Sequence, residues 1–110
     1  MKKTLIILIL IFCFTNNVSA EVKRIISGNE KARITIIAYE SLTCSHCANF
    51  HKDVYPQLKK EYIDTGLAKI EFRHFPLDVA AFNASKIAQC KSDQSLEILE
   101  SLYSNQQAWV

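Results

Sequence analysis

Glycine and proline are scarce, with two of each in 110 residues, and no Gly/Ser linker, internal repeat or run of like charge interrupts the chain. A length of 110 residues without a linker allows one domain at most and excludes a multidomain enzyme. A hydrophobic share of 49% excludes a disordered or low-complexity chain. A basic excess is missing too. The formal charge of +2 comes from Lys2 and Lys3, and beyond them eleven basic residues face eleven acidic ones. Phosphate binding depends on clustered Lys and Arg, so nucleic acid and anionic membrane surfaces are set aside as partners.

What is present at the start is an export pattern. Met1-Lys2-Lys3 leads into an unbroken apolar run from Leu5 to Phe14, followed by Thr15-Asn-Asn-Val-Ser-Ala20. A basic start, an apolar middle and a small-residue end predict a signal peptide over 1–20, cleaved after Ala20. The run is about half the roughly 20 residues a spanning helix needs, so no stable membrane anchor is expected. Acylation at Cys13 would need small residues just before it. Ile11 and Phe12 stand there instead, and Cys13 leaves with the leader. Export puts Cys44, Cys47 and Cys90 in an oxidising compartment, where paired cysteines form disulfides or exchange them.

Arg33 to Tyr39 carries β-branched or aromatic residues at both alternations, which predicts a central strand covered on both sides. From Ser45 to about Asp64, the residues Cys47, Phe50, Val54, Leu58 and Tyr62 recur at spacings of three and four, the period of an amphipathic helix. Asp64-Thr65-Gly66 supplies its stop. Pro56 denies the Lys52 carbonyl its donor and predicts a kink, with the proline on the solvent side. Ala68 to Phe75 alternates with Ala68, Ile70, Phe72 and His74 on one face, a second strand ended by Pro76. Strand, helix and strand form a βαβ unit, expected to have parallel strands and a right-handed crossover. Asp78 is placed to cap an Ala-rich helix to about Gln89, and Leu96, Leu99, Leu102 and Tyr103 mark a further helix after Ser92-Asp93.

Cys44-Ser45-His46-Cys47 falls where the first strand of this unit hands over to its helix. At that junction, in an exported chain, C-x-x-C reads as a redox-active dithiol. Free backbone N–H groups and the positive end of the helix dipole favour a thiolate at Cys44, the nucleophile. Cys47, one turn in on the apolar stripe, is the resolving thiol. His46 lies off the stripe, exposed beside Cys44, where an imidazolium would stabilise the thiolate further. Each pKa unit taken off Cys44 is about 1.4 kcal/mol, or about 30 mV in the oxidising direction. A structural disulfide would close too short a loop to restrain the unfolded chain much. Metal binding through Cys44, Cys47 and His51 or Cys90 lacks a second C-x-x-C or an H-x₃-H to complete a tetrahedral set. Haem attachment needs His after the second cysteine, and Ala48 stands there.

His51, in the middle of the stripe, reads as a hydrogen-bonded packing residue before a catalytic one. His74, ending a strand, reads as structural. Cys90 is expected to be a small buried hydrophobe. Glu40 is either a solvated carboxylate, the plainer reading, or a proton acceptor for Cys47.

The stretch Tyr39-Glu-Ser-Leu-Thr-Cys-Ser-His-Cys-Ala-Asn-Phe-His51, with Tyr62-x-x-Thr-Gly66 and Phe75-Pro-Leu-Asp78, resembles the DsbA-type thiol:disulfide oxidoreductases of bacterial periplasms, in the thioredoxin superfamily. Leu102-Tyr-Ser-Asn-Gln-Gln-Ala-Trp109 also looks like the segment closing a helix in that family's inserted helical domain, so the likeness runs from about Gly28 to Trp109. It implies an α/β fold: a thioredoxin-like βαβ unit in residues 21–110, followed over about 79–110 by the start of the helical insertion. It implies donation of a disulfide to cysteine-containing exported proteins, reoxidation by a DsbB-like membrane redox partner, and no cofactor. Cys44 is then the attacking cysteine and Cys47 the buried one.

Family members continue with a strand entered through a cis-proline facing the cysteine pair, then a further strand and a closing helix. Pro76 matches the family's Phe-Pro-Leu-Asp and is not that proline. The C-terminal half of the fold is therefore absent from these residues, and the expectation is the N-terminal portion of a longer oxidoreductase, with an unpaired sheet edge. Three other functions fit the same residues: a disulfide isomerase or reductase kept reduced by a membrane electron source, an exported thiolate metal-binding protein, and a non-functional truncated fragment.

Overall fold

A computed structural model describes residues 22–110, so the expected leader over 1–20 lies outside the described residues. Three strands, β1 (Ile25–Ser27), β2 (Ile34–Glu40) and β3 (Ala68–His74), form one sheet in the order β1-β3-β2. Strands β2 and β3 run parallel, from Ile34 opposite Ala68 to Glu40 opposite His74, and β1 pairs antiparallel with β3. The helical run between β2 and β3, α1, spans residues 45–63, which completes the expected βαβ unit. Helices α2 (Val79–Gln89), α3 (Ser95–Ser104) and the short α4 (Gln106–Trp109) come after β3.

The core lies on one face of the sheet, where Ile25, Ala68, Ile70 and Phe72 meet Tyr55 and Ile63 of α1, Ala84 and Ala88 of α2, and Leu99 and Tyr103 of α3. Burying each large aliphatic side chain is worth about 1.5–3 kcal/mol, against about 0.2–1 for a cross-strand pair, so burial decides which face of β3 points inward. The α2 helix starts as expected, with Asp78 Oδ1 accepting from Ala81 N–H at 2.7 Å.

Two expectations change. Only one face of β2 is covered: Ile36 and Ala38 pack on the core, but Ile37 is 45% and Tyr39 62% exposed. In this sheet β3 is the middle strand, and among the described residues the outer edges of both β1 and β2 are unpaired. The open face is charged as well as apolar. Glu71 sits there between Arg73 Nε at 2.8 Å and Arg24 Nη1 at 3.5 Å, and Arg73 Nη1 donates to Tyr39 Oη at 2.9 Å. The hydrogen bond from Arg73 holds the Glu71 carboxyl below the ordinary carboxylate range.

The second change is in α1, which alternates α segments (Ser45–Asn49, Tyr55–Leu58) with π segments (Phe50–Val54, Lys59–Ile63). Tyr55 N–H donates to the Phe50 carbonyl and Asp64 N–H to the Lys59 carbonyl, each five residues back. Each wide turn takes in an extra residue and rotates the next part of the helix about its axis. The inward positions are therefore Tyr55 and Ile63, while Val54 and Tyr62, expected on the stripe, are about half exposed. The first wide turn comes just ahead of Pro56, which supplies no N–H to the ladder and faces solvent, so the expected kink takes this form. Past Ile63 the α1 helix stops as expected, with Gly66 at φ +78°.

Strand β1 went unread in the sequence because three residues carry too little alternation. Gly28 at φ +101° ends it, and a Cβ there would come within 2.6 Å of Ile63 Cγ2.

Candidate active site

The site stands at the carboxyl ends of β2 and β3. Between β2 and α1 runs the loop Ser41-Leu42-Thr43-Cys44, whose first two residues are buried. Its polar groups are held from three directions. The backbone N–H of Cys44 donates to the Ser41 carbonyl at 3.0 Å, closing the turn. Thr43 Oγ1 donates to Asp78 Oδ2 at 2.6 Å, which leaves Ser41 Oγ to donate to Thr43 Oγ1 at 3.2 Å, since a hydroxyl has one proton. Leu77 N–H donates to Ser41 Oγ at 3.3 Å. From α4, Gln106 Nε2 donates to the carbonyls of Leu42 (2.7 Å) and Cys44 (3.1 Å).

Cys44 is the N-cap of α1, in extended conformation (φ −78°, ψ 118°), and its carbonyl accepts the first helical bond, from Ala48 N–H. Both thiols are free and only partly buried, Cys47 included, and their pKa values move in opposite directions. The backbone N–H of Cys47 above all holds Cys44 below its ordinary value, and the Cys47 thiol and His46 N–H add to it, against burial and the Glu40 charge. For Cys47, burial dominates and pushes its pKa up against a backbone hydrogen bond at Ser41, with Cys44 and Glu40 adding to the rise. His46 is exposed as expected, and the group it offers Cys44 is its backbone N–H.

Behind the dithiol lies a buried polar cluster. Glu40, 8% exposed, is not a solvated carboxylate, because its Oε2 lies 2.8 Å from His51 Nε2 and both side chains are buried. His51 thus has the hydrogen-bonded packing place expected of it. Its ring stacks on Tyr103 (centroids 4.2 Å apart, 21° between planes) and leans on Phe72 at 5.0 Å. Neither His51 Nδ1 nor Tyr103 Oη has a hydrogen-bond partner among the described residues. Burial pushes the Tyr103 hydroxyl pKa up, and the negative charge of Glu40 and then of Cys47 reinforces it. His74, directly across from Glu40 in the sheet, is half-buried, and desolvation pushes its pKa down.

Cys90 corrects another expectation: it is exposed just past the end of α2, with Sγ 3.2 Å from the Lys86 carbonyl, because the inward stripe of that helix is Ala81, Ala84 and Ala88. Among the described residues no three His, Cys, Asp or Glu side chains gather to hold a metal ion. No helix among them is long and apolar enough to cross a membrane. Gln106 and Tyr103 were missed as site residues by reasoning from the sequence, since each reaches the cysteines from far along the chain.

A βαβ unit with a Cys-x-x-Cys pair at the mouth of its helix defines the thioredoxin-like class of dithiol proteins. The family model described as thioredoxin matches residues 20–110, and the chain belongs to that family, in its DsbA-type branch. It is 35% identical to Wolbachia pipientis alpha-DsbA1, whose crystal structure superposes with a TM-score of 0.73 over 84% of this chain and 48% of that one. The crystal structure of a protein-disulfide isomerase from Novosphingobium aromaticivorans gives a TM-score of 0.74 at 25% identity, over 78% of this chain and 44% of that one. A Rickettsia typhi protein named as a protein-disulfide oxidoreductase is 36% identical over 84% of this chain and 32% of its own length. The chain thus spans about half of these solved structures and a third of that curated relative.

Proposed function

We propose that this chain carries the dithiol site of an exported thiol-disulfide oxidoreductase that donates its disulfide to cysteine pairs of secreted proteins. The observation that carries the reading is the asymmetry of the two thiols, Cys44 held down by N–H groups and Cys47 pushed up by burial. In this reading a substrate thiolate attacks Cys44 Sγ of the oxidised pair. The Cys44–Cys47 bond breaks, a mixed disulfide forms at Cys44, and Cys47 leaves as a thiolate that takes a proton. A second substrate thiolate then attacks the substrate sulfur of the mixed disulfide and expels Cys44. Two electrons pass from the substrate to the pair, and the substrate gains a disulfide.

A low-pKa thiol is the better leaving group, so the second step runs fast where Cys44 is the sulfur expelled. In the reverse direction Cys44 is the nucleophile and Cys47 resolves the mixed disulfide. His46 supports Cys44 with its backbone N–H and, when protonated, with a cation at the exposed face of the site. Glu40, paired with His51 behind the dithiol and close enough for its charge to act on Cys47, is the candidate acceptor for the Cys47 proton. Export by a signal peptide over residues 1–20 to the periplasm, a domain over 21–110 with a helical insertion beginning near 79, and reoxidation by a DsbB-like membrane partner complete the proposal.

The test is alkylation of the reduced, full-length protein across pH, with Cys44 and Cys47 followed separately. Cys44 is expected to react through an ionisation below the ordinary thiol value and Cys47 above it. Equal titration of the two thiols would overturn the donor mechanism. Cys44→Ser should abolish oxidation of a dithiol peptide.

A further inference from the structure

Gln106 comes from α4, 62 positions beyond Cys44, and is 5% exposed. A carboxamide nitrogen has two protons, and both are used on the catalytic loop, on the carbonyl of fully buried Leu42 and on that of Cys44 itself. The Cys44 carbonyl receives a second donor, Ala48 N–H at 3.1 Å, so the peptide that starts α1 is fixed from the helix side and from α4 together. No other side chain from α3 or α4 donates to this loop among the described residues.

We propose that Gln106 is a positioning residue that fixes the loop carrying Cys44 and thereby sets the reduction potential of the Cys44–Cys47 pair. This rests on the disulfide-exchange reading above. The N–H groups of His46 and Cys47 favour a sulfur anion only while Cys44 is held at the mouth of the helix. An unclamped loop lets the sulfur swing away from them. The clamp is present with both cysteines as free thiols. An interaction moves an equilibrium only by the difference in its strength between the two states, so this role requires a clamp that is tighter in the reduced form than in the oxidised one.

The experiment uses the full-length protein, wild type and the variants Gln106→Ala and Gln106→Glu, the second keeping the volume while replacing the donor nitrogen. Each is equilibrated with glutathione. The oxidised pair plus two glutathione thiols gives the dithiol plus one glutathione disulfide, and the constant for that reaction is read together with the pH profile of Cys44 alkylation. The expected result is a constant at least about threefold smaller in a folded variant, with Cys44 ionising about half a unit higher, the same factor on a logarithmic scale. Gln107→Ala, on an exposed neighbour, should leave both unchanged.

A folded variant with a lower melting temperature but wild-type constant and pH profile overturns the proposal, because a merely structural glutamine would behave that way. If neither variant folds, the wild type decides: the Gln106 side-chain amide protons should exchange with solvent more slowly in the reduced than in the oxidised form, and equal exchange rejects the clamp. Failure of the disulfide-exchange reading looks different. In that case the wild type shows no Cys44-dependent exchange with glutathione at all.

Discussion

At Cys44 and Cys47 the difference that matters is which influence prevails, backbone N–H groups at Cys44 or partial burial at Cys47. Its effect on stability has opposite signs at the two sulfurs. Cys44, depressed below the ordinary thiol value, favours the folded reduced form fully above the unfolded value, and that gain fades as pH falls through its lower folded value. Cys47, raised, favours the folded form below its unfolded value and loses that contribution as pH climbs through its own folded value. Glu40 opposes ionisation of both thiols. Glu40→Gln should therefore move Cys44 ionisation to still lower pH, read as faster alkylation near neutrality, while the amide oxygen can still accept from His51. Glu40→Ala instead strands a buried ring nitrogen, which costs about 1–3 kcal/mol by denaturant titration. The place of the two cysteines at a strand-to-helix junction was legible in the sequence. The burial of Glu40 was not, because it depends on His51, eleven residues away, turning toward it. Nor was Gln106, whose partners lie more than sixty residues back.

The elements were legible wherever a period ran long enough to be counted. Helices α2 and α3 and strands β2 and β3 start and stop within a residue or two of their sequence cues, such as Asp78, Pro76 and Gly66. The failures were a period that changes midway and a strand too short to have one. A constant 3.6-residue repeat puts Val54 and Tyr62 inside, whereas two π turns put Tyr55 and Ile63 there, and Tyr55 Oη then reaches Ser27 Oγ at 2.7 Å to tie α1 to β1. Removing that hydroxyl with Tyr55→Phe leaves Ser27 unpaired in a buried place and should cost about 1 kcal/mol. The two glycines offer a sharper comparison. Both have positive φ, but only Gly28 has a neighbour in the way, at 2.6 Å, while a Cβ at Gly66 meets open space. Gly66→Ala should cost about 1–2 kcal/mol for the left-handed backbone alone. Gly28→Ala should cost more, since Ile63, a core residue, must also shift, and urea unfolding of the two variants side by side checks the order.

For residues 22–110 as a unit, the side-chain hydrogen bonds that hold the loop carrying Cys44 come from within: Thr43 donates to Asp78, Leu77 N–H donates to Ser41, and Gln106 donates to the Leu42 and Cys44 carbonyls. The sheet is different. The outer edge of β2 is unpaired, and the face bearing Ile37 and Tyr39 is open to solvent beside the charged Arg24–Glu71–Arg73 set. Sequence composition marked β2 as a strand meant for cover on both faces, but strand order is a property of the assembled sheet that alternation within one strand cannot encode. A flat edge with apolar neighbours is a template for pairing with another chain. A polypeptide of residues 22–110 should therefore self-associate with rising concentration, read by sedimentation velocity. Ile37→Lys, a charge on the open face of that edge, should return it toward monomer while leaving the unequal reactivity of Cys44 and Cys47 in place, because nothing that sets the two thiols lies on that face. Association that persists undiminished in this variant would locate the sticky surface elsewhere, the exposed Phe75, Leu77, Val79 and Phe82 being the next to change.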